Sequence, residues 1–149
     1  MKATSISDYS SANSWYTAEA VDASASTVKQ DSEKKLDNLD GYVLTYTYRM
    51  TLAKGSKATT NLKVGTCNFV AANGKNIEAA RVLVVCGENT EEFKSGTTAG
   101  TTTLATDISD STVVEVKVYV YIDGNDTSIY TNNAGDLDQA NITLTFVVD

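Results

Sequence analysis

Strict alternation of apolar and polar residues in two long segments limits this chain to a fold built from half-buried strands. Between Val113 and Asp123, Val114, Val116, Val118, Val120 and Ile122 point one way, and Glu115, Lys117, Tyr119 and Tyr121 point the other. Between Asn141 and Asp149, Ile142, Leu144, Phe146 and Val148 form the inward row. A period of two belongs to a pleated backbone, whose successive side chains leave on opposite faces. A slip of one residue would turn an entire apolar row to water, so the register is pinned.

The same pattern runs from Tyr42 to Leu52, with Tyr42, Leu44, Tyr46, Tyr48, Met50 and Leu52 on one face. Residues 62–70 supply a further strand, and Trp15 to Val21 a first one. Arg81 to Cys86 is continuously apolar after its arginine, which predicts a central strand buried on both faces. Ser32 to Leu39 predicts one helical turn capped by Ser32 or Asp31, too short to stand alone. The polar stretch from Gly87 to Thr103 reads as an exposed hairpin or loop anchored by Leu104 and Ile108. Turns fall at Asp40-Gly41, Lys54 to Lys57, Asn73 to Asn76 and Asp123 to Asp126. Such spacing predicts an all-β fold: a two-sheet antiparallel β-sandwich, jelly-roll-like, of about seven or more strands. Residues 1–16 are then a polar N-terminal arm and 17–149 a single domain; a closed barrel is the competing architecture.

Composition narrows the function. The 149 residues contain no histidine and no proline. Without histidine, Ser-His-Asp and Cys-His nucleophilic arrangements and the usual zinc sites cannot form, so the expectation is no enzyme. Glu91-Glu92 and Asp107 with Asp110 read as solvated loop charges. A formal net charge of −7 opposes nucleic acid and anionic membranes, which require clustered Lys and Arg. No apolar run reaches the roughly 18 residues a spanning helix needs. Met1 to Ser7 lacks the apolar core of a secretory signal. Either the chain is cytosolic or it is a mature extracellular or cell-surface chain whose signal peptide lies outside this sequence, and the Ser/Thr-rich all-β composition favours the second.

The segments Tyr42 to Met50, Ala80 to Val84, Val116 to Asp126, Tyr130 to Asn133 and Ile142 to Phe146 carry a resemblance. In these strand-and-turn patterns, which extend over about two thirds of the chain, it resembles secreted Firmicutes proteins with SipW-type signal peptides. More distantly it is similar to the TasA and camelysin-like group of biofilm-fibre proteins. The resemblance implies an extracellular β-sandwich, often of jelly-roll type, with polymerisation known in some relatives. Camelysin's proposed peptidase activity does not carry over, because no histidine is present to hold zinc.

Several residues are candidates for binding or assembly. Asp123, Asn125, Asp126, Asp136 and Asp138 supply the oxygen donors a calcium ion prefers. They do not complete an EF-hand loop, since Ser128 and Ala134 occupy the places of its Gly and Glu; a tight turn accounts for the first three equally. Cys67 and Cys86 each lie in a strand. They form a disulfide if those strands pair antiparallel, or remain two buried thiols. Tyr119 and Tyr121 either stack on a glycan or a protein partner, or lie under another segment. Trp15 and Tyr16 sit in otherwise polar surroundings, and either dock on their own domain or add a strand to a neighbour's sheet. Asn125 and Asn141 open glycosylation sequons, the second within a strand.

Two function classes follow. The first is a non-enzymatic secreted or cell-surface structural protein, a fibre or biofilm-matrix subunit that assembles with copies of itself or other surface proteins through its N-terminal segment. The second is an extracellular carbohydrate- or protein-binding module, calcium-dependent if the aspartates converge.

Overall fold

A computed structural model of the chain describes residues 1–6, 15–20, 28–56, 60–126, 128 and 136–149. They form two sheets, one of seven strands and one of four, and the described residues contain no α-helix. The elements are β1 (Ala3–Ile6), β2 (Trp15–Ala20), β3 (Val28–Lys35), β4 (Val43–Met50), β5 (Thr60–Ala71), β6 (Ala80–Cys86), β7 (Asn89–Lys94), β8 (Thr97–Thr98), β9 (Thr103–Ile108), β10 (Val114–Asp123) and β11 (Ala140–Val148). A short 3-10 turn, Asp136–Gln139, leads into β11.

The axis of the larger sheet is β10. One side of β10 pairs with β6, and β6 in turn with β7. The other side is shared: β4 runs antiparallel along Val114 to Tyr121, and β1 continues that edge in parallel at Ile122 and Asp123. From β1 the sheet extends through β2 to β3. In the smaller sheet, β5 carries β11 on one edge and β8 and β9 on the other. All pairs are antiparallel except β1 with β10, so the sandwich is antiparallel apart from the strand that brings in the N-terminus.

The alternation in β10 works as the sequence predicts. Val116, Val118, Val120 and Ile122 enter the core between the sheets, where they meet Leu62, Val64, Cys67, Phe69, Leu104 and Ile108 from the smaller sheet. Every residue of β6 is buried, as expected for a strand between two others with both faces covered. In β5 the inward parity changes from Leu62 and Val64 to Cys67 and Phe69. A β-bulge at Gly65 causes this, since Thr66 pairs with Thr145 and Val64 with Phe146. Glycine suits the bulge: a Cβ at position 65 would lie 2.7 Å from Val147 Cγ1 and 2.9 Å from Thr145 Oγ1, and those two side chains would have to shift to admit it.

Two local expectations are corrected. Residues 28–35 form β3 and not the start of a helical turn, because pairing with β2 satisfies backbone groups that one isolated turn could not. The polar stretch 87–103 contains β7 and β8. Its hydrophilicity concealed β7, in which Phe93 is the one fully buried side chain. Glu91 is no free loop charge, since its Oε1 accepts from the Thr101 amide at 2.6 Å, the Thr101 hydroxyl at 3.0 Å and the Thr102 amide at 3.3 Å.

Candidate functional site

A second core lies on the outer face of the larger sheet and is built around Trp15. Odd-numbered residues of β6 and β10 point there, so Leu83, Val85, Tyr119 and Tyr121 gather with Val43 into one apolar patch. Water does not reach it, because the Trp15 indole covers it and is itself only 1% exposed. Its ring centroid is 4.9 Å from Tyr121 in an edge-to-face arrangement and 5.7 Å from Tyr119. Both geometries suit the quadrupoles of aromatic rings. Leu36, Leu39 and Tyr42 pack at the margin. The backbone holds the plug in place: Trp15 pairs with Ile6 and its carbonyl accepts from the Leu36 amide at 2.8 Å, while the buried Thr4 hydroxyl donates to the Tyr16 carbonyl at 2.6 Å.

Tyr119 and Tyr121 therefore lie beneath the N-terminal segment and offer no free aromatic surface. Burial pushes the Tyr119 phenol up from its ordinary range. The Tyr121 hydroxyl donates to Glu92. Trp15 docks on its own domain, Tyr16 is half-buried beside it, and the expected arm boundary at residue 16 falls inside β2.

Beside the plug is an ion cluster that the sequence reading did not anticipate. Arg81 is 3% exposed on this same face, opposite Tyr121. Its Nη1 donates to the Glu78 and Ala80 carbonyls at 2.7 and 2.9 Å, and its Nη2 bonds to Asp126 and lies 3.4 Å from Asp123. Burial pushes the Asp123 carboxyl up, and this outweighs the Asn125 amide and Arg81, which act to lower it. Burial acts the same way on Asp126, but there the Ser128 hydroxyl and amide together with Arg81 prevail and hold the carboxyl below its ordinary value. One sequence signal could have revealed the cluster. A single arginine opening an otherwise apolar, doubly buried strand requires a counter-charge on its own face of the sheet.

The four aspartates among the five candidate calcium ligands lie against three cations of the chain, two of them against the same one. Asp123 and Asp126 face Arg81. Asp136 lies 3.2 Å from Lys75 Nζ, and the Asn76 amide, followed by Lys75, holds its carboxyl low. Asp138 accepts from the Met1 amino group at 3.0 Å. The Asn125 amide donates to Asp123 Oδ1 at 3.0 Å, which closes the turn after β10. Among the described residues no group of three or more acidic or thiol side chains converges on one point.

The cysteines do not pair. Cys67 in β5 and Cys86 in β6 belong to different sheets, and both are free and buried. Their cross-strand neighbours are Leu144 and Thr98 for Cys67 and Asn89 for Cys86. Burial pushes the Cys67 thiol up to about 11 and raises Cys86 as well, which keeps both protonated and inert near neutrality.

The third feature is a groove along the side where β4 and β11 form the last strands of their sheets. Its volume is 660 Å³, and its walls include Leu44, Tyr46 and Tyr48 from β4 and Ile142 and Leu144 from β11. These residues point inward yet are not covered: Leu44, Tyr46 and Tyr48 are 46%, 47% and 44% exposed. Together the fold and these features define an all-β sandwich of two sheets with a sealed outer core on one face and an open groove along one side. Comparison with protein-family models, with curated proteins and with solved structures gives no match.

Proposed function

We propose that the chain is a non-enzymatic structural protein, secreted or held at a cell surface, that assembles into a fibre or matrix with other copies of itself through its N-terminal segment. One observation carries the reading: Trp15, on a strand of six residues, plugs an aromatic pocket that belongs to the body of the domain. Among the described residues β1 meets β10 through two residue pairs, Ala3 with Ile122 and Thr4 with Asp123, and the segment is further held by the pairing of β2 with β3 and by the Leu36 amide on the Trp15 carbonyl. A neighbouring copy presents an identical pocket. Exchange of the segment between copies re-forms each contact and costs no net packing, the condition under which swapping leads to assembly. Head-to-tail exchange propagates into a fibre wherever the rotation between successive copies does not close a ring.

The test removes residues 1–20. The truncated protein should retain a β-type circular dichroism spectrum and show no fibres by negative-stain microscopy under conditions in which the full chain forms them. A peptide of residues 1–20 added to the full chain should occupy the pockets and shorten the fibres. Fibres unaffected by both truncation and peptide would refute assembly through this segment.

A second reading, a carbohydrate- or protein-binding module, is favoured by the tyrosines that line the β4–β11 groove. Its calcium-dependent form makes a distinct prediction. Because each candidate aspartate already faces a cation of the chain, millimolar calcium should leave the thermal midpoint unchanged, whereas saturation at 100 times Kd would add about 2.7 kcal/mol. A calcium-dependent rise of several degrees would establish a site and revive this reading.

A further inference from the structure

The open side of the sandwich is shaped to be closed by a second copy of the chain, and we propose that two molecules join there about a two-fold axis perpendicular to the sheets, β4 pairing antiparallel with β4 and β11 with β11. The proposal deepens the self-assembly reading by naming a contact, and it does not depend on the N-terminal exchange. Among the described residues, β4 pairs only with β10 and β11 only with β5. Each therefore presents a row of unpaired backbone N–H and C=O groups, which only another extended chain can satisfy in full.

The edges carry few of the devices that normally block such pairing. Arg49, near the end of β4, is the single charged residue of the two strands, and the chain contains no proline, although its formal net charge is −7. These nearly uncharged strips meet with little of the repulsion that other faces of an acidic molecule would incur. Their inward residues are incompletely covered within one copy. Ile142, Leu144 and Phe146 stay half-buried and Leu44, Tyr46 and Tyr48 more exposed still, whereas the inward residues of β10 opposite are buried.

Register decides that the partner is a second copy. Tyr48 lies near Phe146, with tilted rings whose centroids are 6.3 Å apart, and Leu44 pairs with Val120 close to where β1 meets Ile122 and the Met1 amino group reaches Asp138, just before β11. The two strands thus run side by side in the same direction, and Tyr46 lies level with Leu144. In an antiparallel pair, facing residues share a face, so a self-pairing must be centred on a residue. Centred on Tyr46, it sets Thr45 opposite Thr47, Leu44 opposite Tyr48 and Arg49 opposite Val43. Centred on Leu144, it sets Thr143 opposite Thr145 and Ile142 opposite Phe146. Each facing pair is apolar with apolar or hydroxyl with hydroxyl, apart from the outer-face pairs Arg49 with Val43 and Asn141 with Val147. One axis through Tyr46 and Leu144 satisfies both sheets at once, which an unrelated strand added to either edge would not do. Strands of eight or nine residues, about 27 Å long and stacked about 10 Å apart, make a contact on the order of 1,100 Å² in total, just above the ~1,000 Å² that specific interfaces exceed.

Sedimentation of the soluble full-length protein at micromolar concentration should show the mass of two chains. Tyr46→Lys places two like charges at the axis and should yield single chains with an unchanged circular dichroism spectrum, since position 46 is exposed. Mixing Tyr46→Lys with Tyr46→Glu should restore the two-chain species. A second measurement tests register without disturbing packing. Tyr46→Cys should cross-link to itself between copies in air, because facing Cα atoms about 4.5–5.5 Å apart lie within disulfide reach. Tyr48→Cys, displaced from its own counterpart by about 13 Å, should not. A single-chain mass for the unmodified protein, a dimer that survives Tyr46→Lys, or cross-linking at 48 in preference to 46 would each overturn the proposal. The peptide of residues 1–20 added to the full chain should shorten fibres yet leave this dimer, so failure of one contact is distinguishable from failure of the other.

Discussion

Replacing Trp15 by alanine is expected to cost about 3–5 kcal/mol of stability, the range for deleting a large buried aromatic from a core. The indole fills the space between Tyr119, Tyr121 and Val43 on the outer face of the larger sheet and is itself 1% exposed. Its removal leaves a cavity flanked by phenol rings that lose their edge-to-face partner. Against a total stability of about 5–15 kcal/mol for a typical domain, this is a large fraction. At about 2–4 °C per kcal/mol for a chain of this size, the thermal midpoint should fall by ten degrees or so. Urea denaturation of Trp15→Ala and Trp15→Phe checks it: the phenylalanine should recover much of the loss because a ring still meets Tyr121. A cost below 1 kcal/mol for alanine would show that the N-terminal segment does not seal this face, and with it the argument for exchange would fail.

The second large effect belongs to Arg81. Arg81→Met keeps the aliphatic stem but removes the guanidinium that Asp123 and Asp126 face, and breaking a buried pair from one side typically costs about 3–5 kcal/mol. The penalty should depend on pH in a defined direction. In the native protein the Asp126 carboxyl is held below its unfolded value, so its contribution is complete above that value and lost as pH falls through the lowered one. Asp123 acts in the opposite sense. Its raised carboxyl binds a proton more readily when folded, so between the unfolded and raised values its contribution declines as pH rises. Without Arg81 both carboxyls lose a lowering influence and both rise. The variant should therefore recover part of its deficit on acidification from pH 7 to pH 4.5, as the uncompensated carboxylates take up protons. Denaturation of both proteins at the two pH values measures this. A deficit that is constant, or that grows in acid, would mean that the ion cluster contributes little. Asp123→Asn combined with Asp126→Asn should reduce the cost of removing Arg81 if the three residues act as a unit.

These effects bear on assembly from two sides. The plug and the ion cluster share one face, where Arg81 lies opposite Tyr121 and Tyr121 meets Trp15. Loosening of the N-terminal segment exposes Tyr119, Tyr121 and Leu83 together. The β4–β11 groove lies on a different side and requires no rearrangement to accept a second copy. In the proposed assembly an isologous contact there would close at two molecules and supply a building block, which exchange of the N-terminal segment would extend.

What the sequence by itself determined is the set of strands whose alternation is long and unbroken. Val114 to Ile122 and Ile142 to Val148 could occupy only a two-faced sheet, and the run after Arg81 only its centre, because a period of two leaves each side chain a single sensible face. The absence of histidine likewise settled from composition which catalytic arrangements are out of reach. Tertiary structure alone decided the rest. Partners in a sheet are chosen by long-range pairing that local pattern does not encode, so Cys67 and Cys86 lie on different sheets, and residues 28–35 became a strand once β2 was there to bond. The aspartates near 123–138 look alike as a list; only the fold assigns them to Arg81, Lys75 and the Met1 amino group. The outward row of β10 reads as a surface until Trp15 is placed over it, and the inward row of β4 reads as core until its sheet is seen to end there. Burial is a property of what arrives from elsewhere in the chain, and so no single segment can state it.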